Sequence, residues 1–158
     1  MKFIEGLTGK WHVGYIVEDV STAVEGLQKK FGCALGAKPY IFASERAWKD
    51  GEEFRDLKLR IAICRINETM TFEYIQPISQ EGYHYLSLIS DGNSLNHICF
   101  GVEDYDRYRK DFLEHGALIM FEAEANDRQN GYRRCFYAKF KDIPGVFEIQ
   151  EKPTAYRE

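Results

Sequence analysis

Two histidines and two glutamates stand at equivalent places of an internal repeat. Residues 12–19 read HVGYIVED and residues 97–104 read HICFGVED, so His12 matches His97, Val13 matches Ile98 and Tyr15 matches Phe100. Each half closes on a similar run, FEYIQP at 72–77 and FEIQEKP at 147–153, and these runs carry Glu73 and Glu148. A glutamate flanked by aromatic and aliphatic residues on a strand is costly to bury unless it is paired or bound to a cation. Two neutral imidazoles and two carboxylates form a mixed nitrogen and oxygen donor set. That set suits a divalent first-row metal such as Zn, Ni, Co, Mn or Fe, whose charge the two carboxylates offset. Taken singly, each histidine also reads as a satisfied core residue and each glutamate as a strand residue facing water. The metal reading rests on four residues in register across the repeat.

The elements that must position them follow from periodicity. After each histidine strand comes a helical pattern. In the first half it is Val20, Val24, Leu27 and Phe31, with Thr22 and Glu25 placed as a capping box and Gly32 as the stop. In the second it is Tyr105, Tyr108 and Phe112, opening near Asp104 or Asp106 and stopping at Gly116. Strand-like runs at about 34–43 and 57–66, and at about 117–123 and 132–140, separate each helix from its closing run. The charged stretches 44–56 and 123–131 read as loops, and the connector 78–94 contains YHYLSLIS, which suits a short helix.

The expected architecture is α+β, two paired βαβββ modules forming one curved mixed sheet around a cup, with the helices on its outer face. One domain spans 1–158, with module one at about 11–77, the connector at about 78–94 and module two at about 95–152. Half-sized modules bury too little surface to stand apart. Side chains alternate along a strand. Trp11, Val13, Tyr15 and Val17 therefore face the helix, and His12 faces the cup. In the second module Ile98, Phe100 and Val102 face the helix, and His97 faces the cup. The small neighbours Gly14, Cys99 and Gly101 leave room beside each imidazole.

Composition sets the remaining bounds. A net charge of −4 argues against a nucleic-acid partner. No apolar run approaches a membrane span, and MKFIEGLTGKW lacks a signal-peptide core, so the expectation is a soluble cytoplasmic protein. The four cysteines, Cys33, Cys64, Cys99 and Cys135, have no short metal spacing and read as reduced core thiols. Trp48, Tyr83, Tyr85 and Tyr132 lie in or beside loops, where they either touch a ligand or pack. Arg46, Arg60, Arg133 and Arg134 have the forked geometry that holds a carboxylate or phosphate, or else are solvated charges. His84 and His115 have no partner pattern, although a cation at the helix end suits His115.

HVGYIVED, NHICFGVED, FEYIQP and PGVFEIQE resemble the vicinal oxygen chelate superfamily, the glyoxalase and methylmalonyl-CoA epimerase group, over about 11–152. The resemblance implies a cup around a divalent metal held by His12, Glu73, His97 and Glu148. It also implies an isomerase or lyase acting on a small carbonyl or thioester substrate through a metal-stabilised enolate. Glu148, moving between ligand and base, is then the first proton-transfer candidate and Glu73 the second. The connector pattern favours the epimerase-like branch. Some epimerases carry another proton-transfer glutamate in the third strand of module one; here DLKLRIAIC offers Lys58 or Arg60, with Asp56 the nearest carboxylate. The turn before the last strand is Asp142-Ile143-Pro144-Gly145, in place of the usual Asp-Pro-Asp-Gly. The alternatives are a non-catalytic, drug-sequestering module and a metal-dependent dioxygenase; the fourth ligand, Glu73, speaks against the latter. Sheet edges invite a homodimer.

Overall fold

A computed structural model of the chain describes residues 7–32, 34–35, 38–79 and 94–158. The first histidine strand, β1 (Leu7–Ile16), leads into α1 (Val20–Phe31). Then come β2 (Ala34–Leu35), β3 (Tyr40–Ala43), β4 (Arg46–Lys49), β5 (Glu52–Phe54), β6 (Lys58–Arg65) and β7 (Met70–Pro77). The second half runs β8 (Ser94–Val102), α2 (Tyr105–Glu114), β9 (Leu118–Asp127), β10 (Gly131–Lys139) and β11 (Phe147–Glu151). Among the described residues all eleven strands join one sheet in the order β2-β6-β7-β1-β8-β11-β10-β9-β4-β5, with β3 also on β6.

The repeat is visible in the register. β1 and β8 run antiparallel at the centre, with Val13 opposite Ile98, His12 opposite Cys99 and Gly14 opposite His97. Each then pairs in parallel with the closing strand of its own half. Gly14 lies opposite Glu73, and Cys99 lies opposite Glu148. In both halves the glutamate therefore faces the residue two places after the histidine. This is a pseudo-twofold arrangement about the Val13–Ile98 pair.

Both helices lie on the outer face. Val20, Val24 and Leu27 pack against Val17, Ala62 and Cys64, with Tyr15, Phe72 and Tyr74 beside them. Tyr105, Tyr108 and Phe112 pack against Val102, Phe136 and Ile149. The parity expectation for the helix side holds for Tyr15, Val17, Phe100 and Val102, whereas Ile98 is exposed, Trp11 and Val13 lie outside these clusters, and Trp11 borders a cleft with His12. α1 opens on Asp19, whose Oδ1 accepts from the Thr22 N–H at 2.6 Å, and not on a Thr22–Glu25 box. Asp19 sits three residues earlier in an extended conformation, where its carboxylate reaches the orphan N–H groups. Asp104 does the same for α2 by accepting from Arg107 N–H. Gly32, in the left-handed conformation at φ 65°, ends α1.

Two stretches read as loops are strands. Residues 44–56 hold the hairpin β4–β5, turned by Asp50 and Gly51 at φ 52° and 84°. Asp-Gly is a strong signal for such a turn, and the surrounding charges concealed it. Arg46 and Glu53 pair on this hairpin at 2.7 Å, while Ala47 alternates inward and is fully buried. β4 then pairs with β9 of the other half, Ala47 opposite Ala123, so the chain crosses the cup at 44–45. The second stretch, 123–131, is the end of β9 and the start of β10, with the turn at 128–130 held by Asp127 Oδ1 accepting from Gln129 and Asn130 N–H. The run 34–43 is two strands, and Pro39, which lacks an N–H, precedes the second. The expected helix in YHYLSLIS lies outside the described residues, as do Tyr83, His84, Tyr85 and Cys33.

Candidate metal centre

Four neighbouring central strands, β7, β1, β8 and β11, each contribute one side chain to the same spot on the inner face. The His12 Nε2 lies 3.2 Å from Glu73 Oε2, 3.2 Å from Glu148 Oε2 and 3.2 Å from His97 Nε2. The His97 Nε2 lies 3.0 Å from Glu148 Oε2 and 3.5 Å from Glu73 Oε2. One donor atom from each of the four falls within 4.8 Å of the others. Glu73, His97 and Glu148 are buried, and His12 is partly open.

Local sequence explains how the imidazoles fit. A Cβ built on Gly14 would come within 2.0 Å of the His97 ring, so only glycine allows His97 to rest across β1. The other nitrogen of His97, Nδ1, donates to Asn96 Oδ1 at 2.5 Å and holds the ring orientation. Tyr137 meets the same ring edge-on, with centroids 4.9 Å apart. Nε2 is thereby aimed at the cluster.

The four groups share a set of shifted protonation equilibria. Burial opposes ionisation of Glu73, but the charge of His12 and hydrogen bonds from both imidazoles outweigh it and lower the carboxyl to about 2. Burial likewise opposes the Glu148 carboxylate, and His97 and His12 overcome it, holding that carboxyl well below its usual range. For His12, burial disfavours the imidazolium, while Cys99, Glu73 and Glu148 together raise it well above 6.5. Cys99 is itself a neutral thiol, pushed up by burial, so the carboxylates are the partners that matter. His97 is raised in the same way, against burial, chiefly by Glu148.

Without a cation, the carboxylates favour the imidazolium forms and the imidazoles favour the carboxylates. A 2+ ion could take the place of the two imidazolium protons at no net change of charge. The donor set passes the test of fit. Metal–ligand bonds of about 2.1 Å around a first-row ion put neighbouring donor atoms about 3.0–3.4 Å apart, close to the separations here. The set is mixed nitrogen and oxygen, buried, and electroneutral with a divalent ion.

The carboxylate side of the cluster floors a cavity. Glu73 and Glu148 lie in it, and its walls are Leu57, Leu59, Ile61, Ile75 and Phe121, with Tyr40, Phe42, Arg133 and Tyr137 around them. A second, wider cleft runs along His12, Thr71, Cys99, Gly101 and Gln150. The third-strand positions Leu57, Leu59 and Ile61 are apolar and buried. Asp56, Lys58 and Arg60 of the same run are all exposed, so none adds a carboxylate to this wall.

The four arginines separate. Arg46 pairs with Glu53, Arg134 pairs with Glu151 and Asp106, and Arg60 is exposed. Arg133 and Arg134 both border the cavity, and of the four only Arg133 is buried. Trp48 lies on β4 beneath Arg46, and Tyr132 packs under Arg157 and donates to Glu124 Oε2; neither lines the cavity. His115 caps α2, its Nδ1 2.8 Å from Asp111 O. Among the described residues Cys64, Cys99 and Cys135 form no disulfide. Tyr40, Phe42, Phe121 and Tyr137 were not foreseen. Parity along β10 would have found Tyr137, since Arg133, Cys135 and Tyr137 share a face and Tyr137 pairs with Glu148.

A curled sheet of paired modules with two helices outside and a His/Glu cluster inside defines the vicinal oxygen chelate fold. The family model described as the glyoxalase/bleomycin resistance protein/dioxygenase superfamily matches residues 11–136, and the chain belongs to that superfamily. No functionally curated protein matches it. Methylmalonyl-CoA epimerase from Mycobacterium tuberculosis superposes with a TM-score of 0.67 at 19% identity, covering 98% of this chain and 93% of that one. A variant of the Streptomyces coelicolor methylmalonyl-CoA epimerase, in complex with 2-nitronate-propionyl-CoA, gives 0.66 at 19% identity over 94% and 99% of the two chains. A hypothetical protein from Bacillus halodurans gives 0.59 at 17% identity over 93% and 96%. No helix among the described residues is long and apolar enough to cross a membrane.

Proposed function

We propose that the chain, as one domain over 1–158, is a metal-dependent isomerase or lyase of glyoxalase or epimerase type, acting on a small carbonyl or thioester compound. The observation that carries this reading is the convergence of His12, Glu73, His97 and Glu148 to within 4.8 Å on a buried floor. These four would hold a divalent ion, and that ion would act as a Lewis acid toward vicinal oxygens of the substrate. Epimerases among the structural neighbours, one with a CoA thioester analogue bound, support the thioester branch.

The chain's own residues have separate tasks. Glu148 is the proposed general base at Oε1 or Oε2, with Glu73 second. Both are ionised at neutral pH, the form a base requires. The walls Leu57, Leu59, Ile61 and Phe121 keep water from the carbon that loses its proton. Asn96 and Gly14 keep His97 in place. A homodimer formed through a sheet edge, and a cytoplasmic setting, belong to the same proposal.

The test is metal content followed by proton exchange. The protein is loaded with several divalent ions and counted by elemental analysis beside a His12→Ala, Glu148→Ala variant. About one ion per chain, lost in the variant, is the expected result. Solvent deuterium should then enter the acidic C–H of acyl-CoA epimers or of hemithioacetals, and Glu148→Gln should stop it. Absence of bound metal under every loading condition overturns the proposal. Full turnover by Glu148→Gln overturns the base assignment alone.

A further inference from the structure

Arg133 is an unusual residue to find inside an apolar cup. Its side chain is 9% exposed, and it hangs over the Phe42 ring at 5.4 Å. One nitrogen, Nη1, donates to Asp127 Oδ2 at 2.7 Å and to Gly131 O at 3.1 Å. Among the described residues Nε and Nη2 donate to no protein group, and the residue lines the same cavity as Glu73 and Glu148. Neither atom is among the buried unpartnered ones, so both are open to solvent and available to an acceptor on a ligand.

Placement along the strand adds a length. Tyr137 lies opposite Glu148, and Arg133 follows four residues away on the same face of β10. Four residues of strand span about 13 Å, part of which the long arginine side chain covers. The same cavity is lined by Leu57, Leu59, Ile61 and Phe121, an apolar wall that suits aliphatic matter. A ligand matching this sequence of surfaces has chelating oxygens at one end, an aliphatic middle and an anion at the other.

From this we infer that Arg133 is the anion anchor of the cavity, and that the substrate carries a terminal carboxylate joined by a short aliphatic chain to its metal-binding oxygens. This rests on the metal-centred reading above. A planar guanidinium edge with two adjacent donors matches a carboxylate, whereas a doubly charged phosphate would call for a second cation; among the described residues the other arginine of the lining, Arg134, is already paired with two carboxylates. Arg134 points to the outer face, where it meets Asp106 and Glu151.

The experiment compares 2-oxopentanedioate and 2-oxohexanedioate with the monoacids 2-oxopentanoate and 2-oxohexanoate. Each pair shares a chelating head and chain length and differs only in the terminal carboxylate. Binding to the zinc-loaded protein is followed by calorimetry, and zinc stoichiometry is counted separately. At least one diacid should bind about 10–100-fold more tightly than its monoacid, the range for a hydrogen-bonded charged pair. Arg133→Gln should abolish that preference while leaving monoacid affinity and zinc content unchanged. Arg133→Lys, which keeps charge and bulk, covers the case in which Arg133→Gln does not fold, and should retain a reduced preference. Asp127→Asn removes the surface partner but not the guanidinium edge, so the preference should survive it; its loss there would make Arg133 a structural salt bridge and overturn the inference. Equal binding of diacid and monoacid by the zinc-loaded wild type overturns the inference and leaves the metal reading intact. Failure to bind zinc at all overturns the metal reading, and the inference with it.

Discussion

Replacing Gly14 by alanine puts a methyl group into the space that the His97 imidazole occupies. The new Cβ would lie 2.0–2.6 Å from three ring atoms of His97, well inside contact distance, and the ring has little room to move away. On its far side Tyr137 meets it edge-on at 4.9 Å, and Asn96 holds Nδ1. Overpacking of this kind costs about 1–3 kcal/mol of stability. For a chain of this size, that is a fall of roughly 2–12 °C in Tm, at about 2–4 °C per kcal/mol. The larger effect should fall on the metal. His97 Nε2 sits 3.0 Å from Glu148 and 3.5 Å from Glu73, and a shift of the ring by one methyl radius takes it out of a common coordination sphere. Disturbing the support of a single ligand typically costs about 10–100-fold in metal affinity, and losing the ligand costs more. The assay is a zinc titration against a competing chelator, run beside thermal unfolding of the metal-free protein. Gly26→Ala is the control: Gly26 lies in α1 with nothing within 4 Å of its built Cβ, so that variant should bind zinc normally and be slightly stabilised. Wild-type zinc affinity and wild-type stability in Gly14→Ala would refute the packing argument and the register that places His97 across β1.

The protonation shifts give a prediction with opposite signs for the two forms. In the metal-free protein the carboxylates are lowered, so their contribution is present above the usual 4.5 and is lost as pH falls toward 2. The imidazoles are raised, so their contribution is present below 6.5 and is lost as pH climbs through their raised values. Metal-free Tm should therefore be highest between about 4.5 and 6.5 and fall toward pH 9, whereas zinc affinity should rise over the same range because binding displaces the two imidazolium protons. Parallel profiles for the two forms would contradict this. Phe112→Ala, which empties a fully buried site between α2 and Phe136, should cost about 3–5 kcal/mol in denaturant unfolding and leave zinc stoichiometry at the wild-type value. Asp19→Ala removes the cap at Thr22 N–H and should cost about 0.5–2 kcal/mol, where Thr22→Ala should cost much less.

The candidate site was legible to an unusual degree, for a reason that lies in the repeat. His12 and His97, and Glu73 and Glu148, recur at matching places, and the two-residue alternation of a strand assigns each to a face without knowledge of its neighbours. The small residues beside them were legible too, and Gly14 proves to be the one that His97 requires. The helix stops at Gly32 and Gly116 followed from local chemistry in the same way. Only the first helix cap was misplaced, since Asp19 and Thr22 both offer a side chain of the capping type and the choice depends on where the extended strand ends.

What the residues could not announce was where strands go to find partners. The Asp50-Gly51 turn carries a hairpin signal, but its first strand, β4, joins β9 of the other half with Ala47 against Ala123, and no local pattern encodes that meeting. Arg133 reads from its neighbours as one more solvated charge. It is buried because β3 and β10 curl toward each other and bring Phe42 over it. Sequence alone determined which face each group points to and which four groups could act together, since alternation and repetition are local properties. Tertiary structure decided how close those groups come, which walls surround them and which charge shares their cavity, because each of those depends on pairings between segments far apart in the chain.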